Sequence, residues 1–317
     1  MVGLAEWTDE KEILFPEMTA LIIGLLIIDK RVWNVKRWQI ILLMTLGAVA
    51  GICIVRYSPL PYVVNLCAAF VFAGASLLIS RATLIPLISA CVLPVLLHTE
   101  SIIYPIAVFS MSVSVVLVQI ILEKCGIRNR MPKSVGRKPG KEDIIRWLIL
   151  FCFVGALTGL AVSMDYPYLI LPPLMVTFVE MVNSKAGFKN RPTQVFLFLT
   201  TVATLGTVLQ IVGHHHLHLP ESIIALTIAA ILFLIFEWTG KYFAPAGALA
   251  FIPMLLPQEG LGWLPLEASI GAAVFITIAM VVFQKCYKWN RAQLIFCATP
   301  TLLREYMNRK KREKQIE

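Results

Sequence analysis

Two apolar stretches of the sequence contain prolines at matching positions, and their backbone is the first candidate for chemistry. One reads PLISACVLPVLLHTE from Pro86 to Glu100, and the other reads PAGALAFIPMLLPQE from Pro245 to Glu259, at a constant offset of 159 residues. Proline breaks a helix by removing a backbone donor. In a membrane the freed polar groups must be satisfied by protein, water or a bound solute. Short segments interrupted at corresponding places in two halves of a chain are typical of transporter binding sites.

The second stretch predicts a short helix that begins near Pro245, because proline suits the first turn of a helix. The positive end of that helix would then favour an anion. Gly247 and Ala248 would let a small ion or another helix approach the backbone closely. The alternative is that these residues only shape a tight helix crossing. The candidate substrate-binding residues in the two stretches are Pro86, Ser89, Pro94, Pro245, Gly247, Ala248 and Pro253.

Ionisable residues in apolar segments form a second group of candidates. Glu180 lies in VTFVEMVN, Glu17 lies just inside the first apolar segment, and Arg191 precedes a proline in the turn NRP. A carboxylate at membrane depth favours a role in proton or cation coupling. Arg191 could direct its guanidinium at a substrate anion. The alternatives are that Glu180 reaches the nearby aqueous boundary beside Lys185, and that Arg191 only fixes the topology.

The remaining chemical groups point to no catalytic or metal centre. Five histidines could bind a transition metal or sense pH, or could simply form a polar loop; they are His98, His214, His215, His216 and His218. The seven cysteines form no CxxC pair, and the sequence contains neither HExxH nor a complete phosphate-binding loop. The sequence therefore predicts no metal site, no cofactor and no enzyme.

The composition predicts the class of protein that must position these residues. Of the 317 residues, 58% are hydrophobic and 15% are charged, whereas an ordinary globular protein has about 25% charged residues. Several apolar runs approach the roughly 20 residues that cross a bilayer. The net charge of +9 fits basic loops that fix membrane topology, and no basic soluble domain suggests nucleic acid. We expect an all-α, multi-pass protein of the cell membrane.

Eleven apolar segments can be distinguished. They span residues 13–28, 38–56, 60–80, 83–97, 102–123, 144–164, 167–183, 193–213, 220–239, 242–257 and 266–287. If the N-terminus is outside, the C-terminus is cytoplasmic and every segment crosses, only Lys11 and Arg56 of the basic residues lie outside, as the positive-inside rule favours. Trp33 and Trp147 would then lie at the inner membrane boundary. Segments 83–97 and 242–257 are short enough to be re-entrant instead, which would leave nine to eleven crossings.

The matched prolines also predict an internal duplication of five-helix halves. Residues 1–125 form the first membrane repeat, 126–166 a basic cytoplasmic loop with a linking helix, 167–287 the second repeat and 288–317 a basic cytoplasmic tail. One linking helix between two five-helix halves leaves both halves in the same orientation, which predicts a parallel repeat. An inverted repeat is the alternative.

The stretch KYFAPAGALAFIP resembles the signature of the HPP family of integral membrane proteins. Pro245, Ala246, Gly247 and Ala248 match the end of that motif, and Phe188 to Leu209 resembles the family's preceding turn and helix. The histidine and first proline of the motif are absent here. Some members of the family are linked to nitrite transport, so the resemblance implies a carrier of small anions.

The expected function is a transporter or channel for a small solute, such as a small anion like nitrite. The alternative is a non-transporting membrane subunit or scaffold that acts through its basic loops and tail. The expected partners are membrane lipid and a small-molecule or ionic substrate, with no nucleic acid. Assembly into a homo-oligomer remains open.

Overall fold

The computed structural model describes residues 2–8, 10–28, 32–129, 138–183 and 191–286, and within these ranges the secondary structure is helical, with no strands. The basic tail, residues 288–317, lies outside the described ranges. The α-helices are α1 (Val2–Thr8), α2 (Glu17–Ile22), α3 (Arg37–Tyr57), α4 (Tyr62–Ser80), α5 (Leu87–Leu96), α6 (Ile103–Lys124), α7 (Lys141–Ser163), α8 (Pro172–Asn183), α9 (Pro192–Val208), α10 (Glu221–Thr239), α11 (Ala244–Phe251) and α12 (Leu264–Cys286).

Seven of these helices are long and apolar enough to cross a membrane, namely α3, α4, α6, α7, α9, α10 and α12. The span of α9 includes a π-helical turn that extends it to His216. Only 28–44% of the most apolar window of each long helix is buried, so a large apolar surface faces outwards. An apolar surface of this extent is unfavourable in water, whereas it is favourable in contact with the hydrocarbon core of a bilayer. The chain is a helical membrane protein.

Four shorter helices, α2, α5, α8 and α11, lie inside the long ones. All ten residues of α5 are buried, as are residues 172–182 of α8 and residues 244–250 of α11. In α2 the buried residues include Glu17 and Met18, and a π-helical turn, Ile23–Ile27, continues the helix. A helix that is apolar on all sides is stable only when other helices surround it. These four helices therefore form the core of the bundle, and we call them the core helices.

Two of the predicted apolar segments are broken helices. At the start of segment 13–28 a 3₁₀ turn, Lys11–Ile13, precedes α2, and Pro16 lies between the two. In segment 167–183 a 3₁₀ turn, Pro167–Ile170, precedes α8, which begins at Pro172. Proline ends the preceding helical turn because it cannot donate a backbone hydrogen bond and clashes with the turn before it.

Contacts between loops define two opposite ends of the bundle. At one end the Asn34 N–H donates to the Thr83 hydroxyl over 2.7 Å, and we call this end the Asn34 face. At the other end Nε of Arg56 donates to the carbonyl of Glu100 over 2.6 Å, and we call this end the Glu100 face. Segment 83–97 thus has flanking residues at both faces.

The core helices within residues 1–125 pack against those within residues 167–286. α2 packs mainly on α11, and α5 packs on α8 in addition to the long helices α3 and α4. The helix order after α1 is short, long, long, short, long, and it recurs after α7. The two turns that precede α5 and α11 also match, since each starts with a left-handed residue that caps the preceding helix: Arg81 after α4, with φ 54°, and Gly240 after α10, with φ 62°.

Candidate functional site

The core helices all begin with a proline in or just before the first turn. Pro16 precedes α2, Pro86 precedes α5, Pro172 opens α8 and Pro245 is the second residue of α11. An N-terminal proline is preorganised for the helix and lacks only an N–H that would have no helical partner. The prolines therefore set where each core helix starts, including two starts in the interior of segments 13–28 and 167–183.

The second proline of α5, Pro94, changes the hydrogen bonding of the core. It has no N–H to donate to the carbonyl of Ala90 four residues earlier. The Tyr104 hydroxyl of α6 donates to that carbonyl instead, over 3.1 Å, and both residues are buried. The proline thus brings a polar side chain into the apolar core, where a free carbonyl would otherwise be costly.

Pro94 and Pro253 each lie in a close helix crossing with a glycine. A Cβ placed on Gly51 of α3 would lie 2.4 Å from the Cys91 carbonyl oxygen and 2.5 Å from Cγ of Pro94. A Cβ placed on Gly206 of α9 would lie 2.2 Å from the carbonyl oxygen of Ala250 and 3.2 Å from Cγ of Pro253. Only glycine permits these two approaches.

Glu17 is the first residue of α2 and one of two carboxyl groups that the core almost completely buries. Its side chain is 1% exposed. The Ser89 hydroxyl of α5 donates a hydrogen bond to its Oε1, and its Oε2 has no hydrogen-bond partner among the described residues. Ser89 was a candidate from sequence, but nothing in the spacing of residues 17 and 89 indicated that they would meet.

Glu180 is the second buried carboxyl group and lies towards the Asn34 face. It is 2% exposed, and Nε1 of Trp33 donates to its Oε1 over 3.2 Å. The indole and the core thus enclose Glu180, while Lys185, which the alternative placed beside it, lies outside the described residues. Trp33 and Trp147, expected at the membrane boundary, are likewise buried at 3% and 7% exposure. Trp33 lies inside because its N–H finds an acceptor there.

The candidate residues of α11 lie in the core, and Gly247 meets the neighbouring core helix. Pro245, Gly247 and Ala248 are all buried. A Cβ on Gly247 would lie 2.6 Å from Cδ1 of Ile23 and 2.9 Å from Cγ2 of Thr19. Gly247 therefore sets the distance between α11 and the α2 segment.

Arg191 lies apart from these core contacts. It precedes α9 as its N-cap residue and is half-buried. It is near Lys241, whose pKa is lowered first by burial and then by the positive charge of Arg191. Lys241 donates to Oε1 of Gln194 over 2.7 Å. Arg191 thus belongs to the polar turn that flanks α9 and α11.

A polar cluster on the Glu100 side contains part of the histidine loop. Oε1 of Glu221 lies 3.4 Å from Nε2 of Gln210, 3.6 Å from Nε2 of His214 and 4.0 Å from Nζ of Lys11. Within the described ranges no three His, Cys, Asp or Glu side chains come together as metal ligands. The loop is therefore organised around one buried carboxylate.

The N-terminal helix α1 is tied to the same region. The carboxylate of the exposed Glu6 accepts hydrogen bonds from the N–H groups of Glu221 and Ser222, and from the Ser222 hydroxyl over 2.8 Å. The pKa of the Glu6 carboxyl group is lowered, chiefly by the hydrogen bond from the Ser222 hydroxyl. Glu6 thus caps the N-terminus of α10 from a separate helix, a contact that sequence spacing did not indicate.

Two cavities lie beside the core. A mainly apolar cavity of about 370 Å³ is lined by parts of α2, α6 and α11, including Pro16 and Met18 on either side of Glu17. A smaller polar cavity of about 180 Å³ opens at the Asn34 face, where Arg81 and Arg146 are among its lining residues. Glu17 itself is not among the lining residues of the first cavity, and its side chain meets Ser89 of α5 instead.

No protein family, no curated protein and no solved structure matches this chain. The resemblance of KYFAPAGALAFIP to the HPP signature remains a prediction.

Proposed function

We propose that this protein is a transporter or channel for a small solute, with small anions such as nitrite as the first substrates to test. The observation that carries the proposal is the set of four short, buried helices inside seven long ones. A protein that only anchors itself in a membrane has no need of interrupted helices in its interior. Interrupted helices with polar groups at their breaks are typical of transporter sites.

We also propose that the bundle consists of two five-helix repeats. The recurring helix order, the left-handed residues Arg81 and Gly240, and the crossings at Gly51 and Gly206 support this. A chance likeness between apolar segments would not reproduce the same glycine, carbonyl and proline contact at corresponding places in both halves.

A parallel arrangement of the repeats fits the contacts better than an inverted one. The segment of α2 ends at Ile28, whose carbonyl accepts a hydrogen bond from Arg128 after the end of α6. Asn34, six residues later, and Asn183, the last residue of α8, line the same polar cavity. The first core segments of both halves therefore end at one face, as a parallel repeat requires.

The Asn34 face is proposed as the cytoplasmic side. Four arginines lie at or next to this face. Arg37 forms an ion pair with Glu123, Arg81 and Arg146 line the polar cavity, and Arg128 donates a hydrogen bond to the Ile28 carbonyl. Basic residues concentrate on the cytoplasmic side of membrane proteins. This assignment places the N-terminus outside.

The test is flux through purified protein in liposomes, against nitrite, nitrate, formate and protons. Gly247→Leu would force α11 away from Thr19 and Ile23 and is expected to abolish flux while leaving a monodisperse protein. Gly159→Leu on α7 is the matched control, because nothing lies within 4 Å of a Cβ there, and it should keep wild-type flux.

Normal flux in Gly247→Leu would show that the position of α11 does not matter for transport. Absence of flux in the wild type for every substrate, together with a stoichiometric partner in the purified sample, would favour the alternative of a membrane subunit or scaffold.

A further inference from the structure

Among the described residues, Glu17 has the one buried carboxyl oxygen that lacks a hydrogen-bond partner. Its Oε1 has the Ser89 hydroxyl as a donor, whereas its Oε2 is buried and has no partner among the described residues. No ion pair of the described residues includes Glu17. A carboxylate that keeps its charge in such a place needs a cation or several donors.

The elements packed around α2 provide no such cation. The helix and its π-helical continuation contain no further titratable residue, and neither does α11. From α5 the nearby titratable group is Cys91, and from α6 it is Tyr104, which interacts electrostatically with both Glu17 and Cys91. A neutral thiol and a neutral phenol supply no positive charge. The Tyr104 hydroxyl is already donated to the Ala90 carbonyl.

We propose that Glu17 is a proton-binding site, and that it carries the coupling proton of the transport function proposed above. In the loaded state a proton from water is bonded to the carboxylate of Glu17, and the side chain is neutral. In the unloaded state that proton has returned to water and the side chain carries one negative charge. No other reactant is required for the exchange.

The position of Glu17 connects its charge to the packing of the core. The hydrogen bond from Ser89 joins α2 to α5, while α2 packs through Thr19 and Ile23 on Gly247 of α11. A hydrogen bond to an ionised carboxylate is roughly twice as strong as one to its neutral acid. Loading the proton therefore loosens the contact between α2 and α5, and releasing the proton tightens it. The two states thus differ at a contact within the first half, made by the same segment that packs on Gly247 of α11.

The direct test is infrared spectroscopy of the purified full-length protein in nanodiscs during a pH titration, since a protonated carboxyl group has a C=O band separate from that of a carboxylate. The proposal expects a titrating C=O band that is lost in Glu17→Gln and kept in Glu180→Gln. Ser89→Ala keeps Glu17 and should move the band to higher frequency, because the hydrogen bond to Oε1 is lost. Ser89→Ala therefore still tests the proposal if Glu17→Gln does not fold. The proposal is overturned if wild type shows no such band, or if Glu17→Gln keeps it, or if Ser89→Ala leaves its frequency unchanged.

A second arm separates this proposal from the transport function. In liposomes, Glu17→Gln should lose uptake driven by a pH gradient and keep exchange of labelled for unlabelled substrate at equal pH on both sides. Uptake that still follows the pH gradient in Glu17→Gln would overturn the coupling role. If wild type moves no substrate, the transport function fails, and the infrared result alone decides whether Glu17 binds a proton.

Discussion

Replacing Gly51 with alanine tests the closest helix crossing in the first half of the bundle. The added Cβ would lie 2.4 Å from the Cys91 carbonyl oxygen and 2.5 Å from Cγ of Pro94, well inside van der Waals contact. Neither neighbour can rotate away, because one is backbone and the other is a ring fixed to backbone. The whole of α5 must therefore move away from α3.

The expected loss of stability follows from two opposing effects. Overpacking a well-packed site costs about 1–3 kcal/mol, while alanine in place of glycine favours a helix by about 1 kcal/mol. Gly159→Ala on α7 gains the same helix preference and meets nothing within 4 Å. The difference between the two variants therefore isolates the clash, and we expect Gly51→Ala to be less stable than Gly159→Ala by about 1–3 kcal/mol.

The assay is unfolding of the purified variants in one detergent, with the free energy of unfolding taken from denaturant titrations. Gly206→Ala in the second half should behave like Gly51→Ala, and the double variant should show the sum of the two losses, since distant sites usually add. Equal stability of Gly51→Ala and Gly159→Ala would show that α3 and α5 do not approach as closely as described.

Two further predictions concern single polar contacts. Because the Ser222 hydroxyl lowers the pKa of Glu6 below its ordinary 4.5, the contact stabilises the fold above that pH and is lost as the pH falls through the folded-state pKa. The difference in Tm between wild type and Glu6→Ala should therefore be constant near neutrality and shrink in acid, and a difference that grows in acid would contradict the contact. Trp33→Phe leaves Oε1 of Glu180 without its donor and should cost about 1–3 kcal/mol in denaturant titrations, whereas Trp38→Phe at a 58% exposed position should change little. Equal effects would contradict the buried hydrogen bond.

Sequence patterns predicted the long helices well because a bilayer demands about 20 apolar residues from any helix that crosses it. The segment predicted at 38–56 is the helix Arg37–Tyr57, and the one at 220–239 is Glu221–Thr239. The segments predicted at 83–97 and 242–257 contain the short helices Leu87–Leu96 and Ala244–Phe251, and the predicted helix start near Pro245 agrees with the second of these. These features depend on the composition and length of each segment, and both can be read directly from the sequence.

The sequence did not indicate which core helices touch. Apolar residues cover every side of LISACVLPVL, so no periodicity points to a preferred face. The contact between Glu17 and Ser89 spans 72 residues, and it depends on how α2 packs in the finished bundle. The burial of Trp33 likewise depends on an acceptor, Glu180, 147 residues away. Both pairs required the tertiary structure.

The packing of α2 against α11 has a consequence for the order of synthesis. When the ribosome has completed the α9 span at residue 216, α2 and the turn that continues it have already been made. The helix that packs on their Thr19 and Ile23 begins only at residue 244. Until α11 is inserted, that side of α2 must rest on lipid, on the insertion machinery or on another part of the chain. The first core helix thus reaches its final surroundings only after the second half of the protein has entered the membrane.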